Sequence, residues 1–172
     1  MNLANKLTLA RVALIPVFLA VLYWGFPQSN WVAVAVFIIA SLTDLLDGRI
    51  ARSRNLITNL GKFMDPLADK MLVAAAMCWL VDAGRMFGWA LVVVLVREFA
   101  VSGLRLVAVE RGRVIAAAWS GKIKTAVTMV CLCFMIAFDV LWLNIVCQIL
   151  ILATTVYSGV EYFAKNADVM KG

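Results

Sequence analysis

Long apolar stretches separated by short polar connections form the main pattern along the chain. There are six of them, over Leu7–Trp24, Trp31–Leu46, Pro66–Val81, Phe87–Val109, Trp119–Phe138 and Leu141–Phe163. Each approaches the roughly 20 apolar residues that an α-helix needs to cross a bilayer. The pattern therefore predicts an all-α fold, a polytopic bundle of six transmembrane helices with short loops, as a single domain over residues 1–172.

The composition supports a membrane protein and excludes two other classes. Hydrophobic residues make up 65% of the chain and charged residues 15%, and the mean hydropathy is +0.96. A soluble domain has about 45–50% apolar and about 25% charged residues, so one soluble core of this size could not bury these side chains. Disorder is excluded as well, because disordered segments are poor in hydrophobic residues.

Histidine is absent, and the cysteines all lie in apolar surroundings. Without histidine, Ser-His-Asp catalysis and histidine metal ligands are excluded. The four cysteines are Cys78, Cys131, Cys133 and Cys147. Their positions inside apolar stretches predict packing residues rather than disulfides or a zinc site.

The basic residues lie almost entirely in alternate connections. The net charge is +6, yet the connections after the first, third and fifth stretches contain only Arg85. Because basic residues collect on the cytoplasmic side of a membrane, this distribution predicts that both termini are cytoplasmic. It favours the lipid bilayer and anionic ligands as partners, and no nucleic acid.

Two pairs of aspartates flank the second connection. Asp44 and Asp47 are three residues apart, and Asp65 and Asp69 are four apart. Either spacing places both carboxylates on one face of a helix. If the second helix continues beyond the membrane surface, Gly48 lies on the same face as the first pair, where it would let a ligand approach the backbone. Ala51 shares that face and Arg52 lies at its edge.

Local structural roles are also open for several of these residues. Asp65 followed by Pro66 is typical of a helix start, with the aspartate as N-cap. Asp69 and Lys70 could form a surface pair in the first turn. Gly48 could be a C-cap.

Asp44 and Asp47 are harder to explain by structure alone. They fall late in an apolar stretch, where negative charge near a helix end is unfavourable and ionisable groups are expensive. Four clustered carboxylates require a cation, and oxygen-only ligands suit Mg²⁺ or Mn²⁺. A pair of such ions commonly clamps a phosphoryl group. The constellation therefore predicts a metal-assisted phosphoryl-transfer site.

The spacing of these residues resembles a family signature. The pattern Asp44-x2-Asp47-Gly48-x2-Ala51-Arg52-x8-Gly61-x3-Asp65-x3-Asp69 is similar to that of the CDP-alcohol phosphotransferases at every fixed position. The resemblance implies an integral membrane enzyme of six helices, usually a homodimer, in the bacterial inner membrane with its site facing the cytoplasm. Such an enzyme transfers a phosphatidyl or similar group from a CDP-linked donor to an alcohol and releases CMP.

The resemblance also implies roles for individual residues. Asp44, Asp47 and Asp65 would be ligands of two divalent cations, Mg²⁺ or Mn²⁺. Asp69 would be the general base and would also contact a metal ion. The residues that would bind the CDP donor are Thr43, Gly48, Ala51, Arg52 and Gly61.

Cations in the fourth and fifth helices suggest a phosphate on the acceptor. Arg97 and Arg105 are eight residues apart, and Lys122 and Lys124 lie at the start of the fifth helix. Arginine and lysine are the usual phosphate-binding side chains. The alternative is interfacial snorkelling for Arg105 and the two lysines, while Arg97 is placed to pair with Glu98 or with an anion.

Three segments resemble the glycerol-phosphate branch of the family: Asn5–Arg11, Arg97–Arg105 and Val114–Thr125. This implies CDP-diacylglycerol as the donor and glycerol 3-phosphate as the acceptor. Two alternatives stay open: a sibling enzyme that uses inositol phosphate, serine or phosphatidylglycerol, and a divalent-cation transporter. An ion path has no use for Arg52 beside its acids, which favours the enzyme.

Overall fold

The computed structural model describes most of the chain. The described backbone covers residues 3–53, 59–110, 112–113, 115–116 and 118–169, and the described side chains are those of residues 9–43, 68, 70–110, 112–113, 115–116 and 118–168. Within these residues the fold is all-helical. The helices are α1 (Leu3–Trp24), α2 (Ser29–Ser53), α3 (Asn59–Asp82), α4 (Gly88–Glu110), α5 (Trp119–Ala137) and α6 (Leu141–Lys165), followed by a short 3-10 helix at Ala167–Val169.

Each predicted apolar stretch corresponds to one of these helices. The largest differences are at the second connection, where α2 continues past Leu46 to Ser53 and α3 begins at Asn59 rather than near Pro66. The apolar pattern stops there, but the helical backbone does not, because the arginines, lysine, alanine and leucine of this segment form helix readily. The prediction of six helices is confirmed.

Two of the described helices are long and apolar enough to cross a bilayer. They are α5 and α6, with mean hydropathies of 1.4 and 1.7. Shorter apolar helical segments cover Leu9–Trp24 and Ser29–Thr43, so the apolar part of α2 ends just before its charged turns. Six membrane spans and the cytoplasmic position of both termini stay predictions.

The first of two compact units comprises Met1–Asp82. In it α1 packs against α2 and α3. The buried face of α1 contains Ile15, Phe18 and Leu22, at the spacing of one helical face. Near the C-terminal ends of α1 and α3, the Tyr23 hydroxyl donates a hydrogen bond to the Asp82 carboxylate.

The second unit comprises Ala83–Gly172. Here α6 packs against both α4 and α5, and its central position explains why it carries many buried polar residues. The buried residues of α6 are Asn144, Cys147, Gln148, Ile151, Thr155, Ser158, Gly159 and Tyr162. Cys131 of α5 is buried too, while Cys78 in the first unit is exposed. All four cysteines are free.

Arg85, the lone basic residue of the alternate connections, makes polar contacts at one end of the second unit. Its guanidinium donates hydrogen bonds to the carbonyls of Met135 and Ile136 at 3.3 and 3.2 Å, at the C-terminal end of α5. It also pairs with Asp139 at 3.2 Å. A cation is favourable at a helix C-terminus, where carbonyl groups lack intrahelical partners. Arg85 thus has a local structural role.

Candidate active site

The acidic motif lies on two helices that contact each other. Asp44 and Asp47 belong to α2, Asp65 and Asp69 belong to α3, and the two helices pack together in the first unit. The four side chains lie outside the described residues, as do those of the predicted donor-binding residues Gly48, Ala51, Arg52 and Gly61. The described backbone supports the continuous helix that the spacing argument for Asp44 and Asp47 assumed.

The helix bounds contradict the local structural roles considered for this segment. Because α3 begins at Asn59, Asp65 is not its N-cap, and Pro66 lies inside the helix. Asp69 is likewise not in the first turn. Gly48 lies within α2, which ends at Ser53, so it is not a C-cap. The helix bounds therefore exclude an N-cap role for Asp65, a first-turn position for Asp69 and a C-cap role for Gly48.

Thr43 is the described member of the predicted donor-binding set. Its hydroxyl donates a hydrogen bond to the carbonyl of Ile39, one turn earlier in α2, at 2.7 Å. This is the usual back-bonding of a threonine within a helix. The hydroxyl oxygen retains lone pairs, so a role for Thr43 at the donor stays a prediction.

A buried arginine lies at the level of the acidic motif. The rings of Phe18 and Phe37 are in contact, with centroids 5.8 Å apart, and α1 and α2 are joined by a short turn and run antiparallel. From this contact, about two helical turns back along α1 and two forward along α2 lead to Arg11 and Asp44, which therefore lie at the same level. Arg11 is only 1% exposed.

The acidic and basic motifs of the sequence did not single out Arg11. A signal was present, since Arg11 precedes Ile15, Phe18 and Leu22 at the spacing of the buried face of α1. A charged residue at a core position of a helix indicates a partner of opposite charge or a functional site. Arg11 is therefore a residue of interest that sequence reasoning missed.

The predicted acceptor cations are described in full, and two of them meet. Arg97 of α4 and Lys124 of α5 donate to the same atom, Oε1 of Glu98, at 2.9 and 2.6 Å. The side chains of Arg97, Glu98 and Lys124 are 13%, 18% and 6% exposed. The expected pairing of Arg97 with Glu98 is confirmed, and the snorkelling alternative for Lys124 is wrong because its ammonium is buried.

The other two predicted cations contact aromatic residues instead. Arg105 Nε donates to the Tyr162 hydroxyl at 2.7 Å, and its guanidinium carbon lies 5.4 Å from the centre of that ring. The Lys122 ammonium lies 5.1 Å from the centre of the Trp119 ring, and both residues are exposed. A lysine beside an exposed tryptophan is typical of a membrane interface.

Lys124 could have been recognised as buried from its position in α5. It shares the helix face of Ser120, Thr128 and Cys131, all of them buried. The remaining described residues contain no group of three or more histidine, cysteine, aspartate or glutamate side chains that could hold a metal ion. The predicted metal ligands are the four aspartates whose side chains lie outside the description.

Comparison with known proteins identifies relatives across the whole chain. The model of the CDP-alcohol phosphatidyltransferase family matches residues 1–158. A CDP-diacylglycerol–glycerol-3-phosphate 3-phosphatidyltransferase of Bacillus subtilis is 43% identical over 99% of this chain and 97% of its own length. A probable phosphatidylglycerophosphate synthase of Mycobacterium tuberculosis is 39% identical over 95% of this chain and 81% of its own. A Rickettsia bellii enzyme with the same name as the Bacillus one is 35% identical, covering 94% and 93%.

Proposed function

We propose that this chain, which belongs to the CDP-alcohol phosphatidyltransferase family, transfers a phosphatidyl group from CDP-diacylglycerol to glycerol 3-phosphate. The products are phosphatidylglycerol phosphate and CMP. The observation that carries the proposal is the 43% identity, over nearly the full length of both chains, to the Bacillus subtilis enzyme of that name. The cation pair of Arg97 and Lys124 supports it, because it supplies the chemistry that a phosphate-bearing acceptor needs.

The donor side of the site is the acidic motif. The family is generally dependent on divalent cations, and a donor set of four carboxylates without nitrogen or sulfur fits Mg²⁺ or Mn²⁺. Asp44, Asp47, Asp65 and Asp69 would hold two such ions. When bound, the ions would neutralise the donor diphosphate and stabilise charge at the reacting phosphorus.

The transfer itself is a displacement at phosphorus. Asp69 accepts the proton of a free hydroxyl of glycerol 3-phosphate, and that oxygen forms a bond to the phosphorus that bears the diacylglycerol. The bond from this phosphorus to the oxygen of CMP breaks, and CMP leaves with the bonding electrons. Asp69 lies one turn beyond Asp65 in α3, so both carboxylates can reach the same face.

The donor nucleotide would be held by small residues and one arginine. Gly48 and Ala51 in α2 leave room for the diphosphate to approach the helix, and Arg52 supplies a fork of donors for it. Thr43 and Gly61 complete the proposed set.

Arg97, Arg105, Lys122 and Lys124 are the proposed binding residues for the acceptor phosphate. Among them Arg97 and Lys124 have the strongest basis, because their side chains are only 13% and 6% exposed. A charge-assisted hydrogen bond is stronger when it is shielded from water. Acceptors without a phosphate, such as serine, would offer Arg97 and Lys124 no second anion beside Glu98. A divalent-cation transporter would have no use for a buried cation pair.

We further propose that residues 1–172 form a single membrane-embedded domain, in a homodimer of the bacterial inner membrane. Six spans would place both termini and the site at the cytoplasmic face. One face of α4 exposes Val92, Val96 and Phe99, as expected for contact with lipid or a second copy. Introduced cysteines, Gln28→Cys and Ser53→Cys, should be labelled from opposite sides, and labelling from one side would contradict this topology.

The reaction is tested with purified protein, CDP-diacylglycerol and a panel of acceptors. We expect CMP release only when donor and acceptor are both present, and far faster turnover with glycerol 3-phosphate than with glycerol or serine. Equal turnover with glycerol would contradict recognition of an acceptor phosphate. Divalent-cation uptake into proteoliposomes without CMP release would favour the transporter.

A further inference from the structure

Glu98 pairs with two cations of the second unit, Arg97 and Lys124. Its Oε1 atom accepts from Arg97 at 2.9 Å and from Lys124 at 2.6 Å. Sharing one oxygen brings a guanidinium and an ammonium close together in partly desolvated surroundings, where like charges repel strongly. The carboxylate between them offsets that repulsion. It also connects α4 to α5, because Lys124 is 26 residues further along the chain.

The Arg97 side chain reaches this carboxylate through space left by two glycines. A Cβ added at Gly159 of α6 would lie 3.3 Å from Cγ of Arg97, and one at Gly121 of α5 would lie 3.8 Å from its NH2 atom. The first distance is tighter than an ordinary van der Waals contact, so a larger residue at position 159 would displace Arg97. The position of the guanidinium thus depends on three helices, α4, α5 and α6.

One donor of this cluster has no partner. Arg97 Nε is buried and makes no hydrogen bond with any residue that the structure describes. Buried donors in proteins are nearly always satisfied, so an orphan of this kind indicates a bound water or ligand. With two cations and one acid the cluster has a net charge of +1, which favours an anion.

We propose that Glu98 is a positioning residue of the acceptor site, which holds Arg97 and Lys124 at the spacing that binds the acceptor phosphate. The inference rests on the proposed function. Glu98 does not contact the phosphate, since carboxylate and phosphate repel each other. It acts through the two cations: without it, mutual repulsion and the flexible lysine stem would move the ammonium away from the guanidinium.

The first test is the Glu98→Gln variant, which keeps the shape of the side chain and removes its charge. We expect the KM for glycerol 3-phosphate to rise about tenfold, the size expected for loss of one charge-assisted hydrogen bond. The KM for CDP-diacylglycerol should stay within about twofold of wild type. Similar increases for both substrates, or no increase for either, would overturn the proposal.

A matched control is available in the same unit. Asp168 pairs with Arg113 and can be changed to Asn, which also removes one carboxylate from an ion pair. Its side chain is 60% exposed, and it lies outside the proposed site. Asp168→Asn should leave both KM values unchanged, and an acceptor KM that rises as much as in Glu98→Gln would show a non-specific charge effect and overturn the proposal.

A double-mutant cycle tests whether Glu98 acts through Lys124. The acceptor KM is measured for Glu98→Gln, Lys124→Met and the double variant. If Glu98 positions Lys124, the double variant is little worse than Lys124→Met alone. Two effects that multiply independently would contradict this role.

A variant outside the ion pairs guards against a folding defect. Gly159→Ala leaves both charges in place but crowds Arg97, and it should raise the acceptor KM without changing the donor KM. A wild-type protein that releases no CMP with glycerol 3-phosphate would contradict the proposed function itself. An active wild type whose acceptor KM is unaffected by Glu98→Gln would contradict only the role of Glu98.

Discussion

In each unit of the chain, a set of like-charged residues of the proposed site is accompanied by a side chain of opposite charge. In the first unit the helices α2 and α3 carry the four aspartates of the motif, and the buried guanidinium of Arg11 lies at their level on α1. In the second unit the cations Arg97 and Lys124, whose side chains are 13% and 6% exposed, both contact the carboxylate of Glu98. The arrangement is similar in principle and inverted in sign.

The comparison shows how a binding site for charged substrates is kept stable when it is empty. Burying several like charges is expensive unless opposite charges accompany them. In the proposed reaction the substrates and metal ions would provide those charges during turnover. Between turnovers an internal residue must do so, and Glu98 makes the direct contacts in the second unit. We expect that the guanidinium of Arg11 offsets the charge of the four aspartates in the first unit in the same way.

The largest expected effect concerns the acids themselves. Asp44→Asn, Asp47→Asn and Asp65→Asn should each abolish turnover, because each removes a proposed metal ligand. Excess chelator should abolish turnover of the wild type, and Mg²⁺ or Mn²⁺ should restore it. The measurement is CMP release; full activity in excess chelator would contradict a metal-dependent acidic unit.

Asp69 should differ from the other acids in what it affects. A positioned general base contributes about 10²–10⁴-fold in rate, so we expect Asp69→Asn to lose turnover by about that factor while still binding CDP-diacylglycerol with metal present. Asp44→Asn should lose binding as well. Donor binding and rate are measured on the same preparations. Near wild-type turnover in Asp69→Asn would show that the base lies elsewhere.

Replacement of Arg11 tests the counter-charge of the first unit. We expect Arg11→Met to lower the free energy of unfolding in detergent by about 3 kcal/mol, the lower end of the range for removing one partner of a buried charge pair. Mg²⁺ should restore part of the loss by neutralising the acids. Thermal unfolding with and without Mg²⁺ measures both effects. Arg113→Met, which removes an exposed arginine, is the control; equal destabilisation of the two variants would remove the parallel with Glu98.

The smallest effects are expected at the exposed cations. Arg105 and Lys122 contact Tyr162 and Trp119 rather than a carboxylate, and exposed charge interactions contribute about 0–1 kcal/mol. Arg105→Gln and Lys122→Gln should therefore raise the acceptor KM by at most about fivefold, less than Lys124→Met. A larger effect at Lys122 than at Lys124 would show that burial does not rank these cations.

The helices followed largely from the sequence, with one informative exception. The apolar stretches gave the six helices and several of their ends, because turns such as the one after Trp24 and the link around Asp139 interrupt both the apolar pattern and the helix. At the second connection the end of the apolar stretch and the end of the helix do not coincide. There α2 continues to Ser53 through a polar segment in which Arg49, Ala51 and Arg52 favour helix, so the apolar pattern alone placed the end of α2 too early.

The sequence by itself determined the family and predicted the chemistry of the motif. Eight residues at fixed spacing carry the resemblance, and their spacing can be read from the sequence without knowing how the helices pack. The pairing of Arg97 with Glu98 was also within reach, since the two residues are neighbours in the chain.

Only the tertiary structure decided which cations share a partner and which charges are buried. Lys124 meets Glu98 because α6 packs against both α4 and α5, and Gly159 of α6 leaves room for Arg97. Arg11 is buried because α1 packs against α2 and α3 along the face that contains it. The periodicity of a sequence encodes the faces of each helix, but the partner of a buried charge depends on which faces meet and at what height. That information arises only when the helices pack.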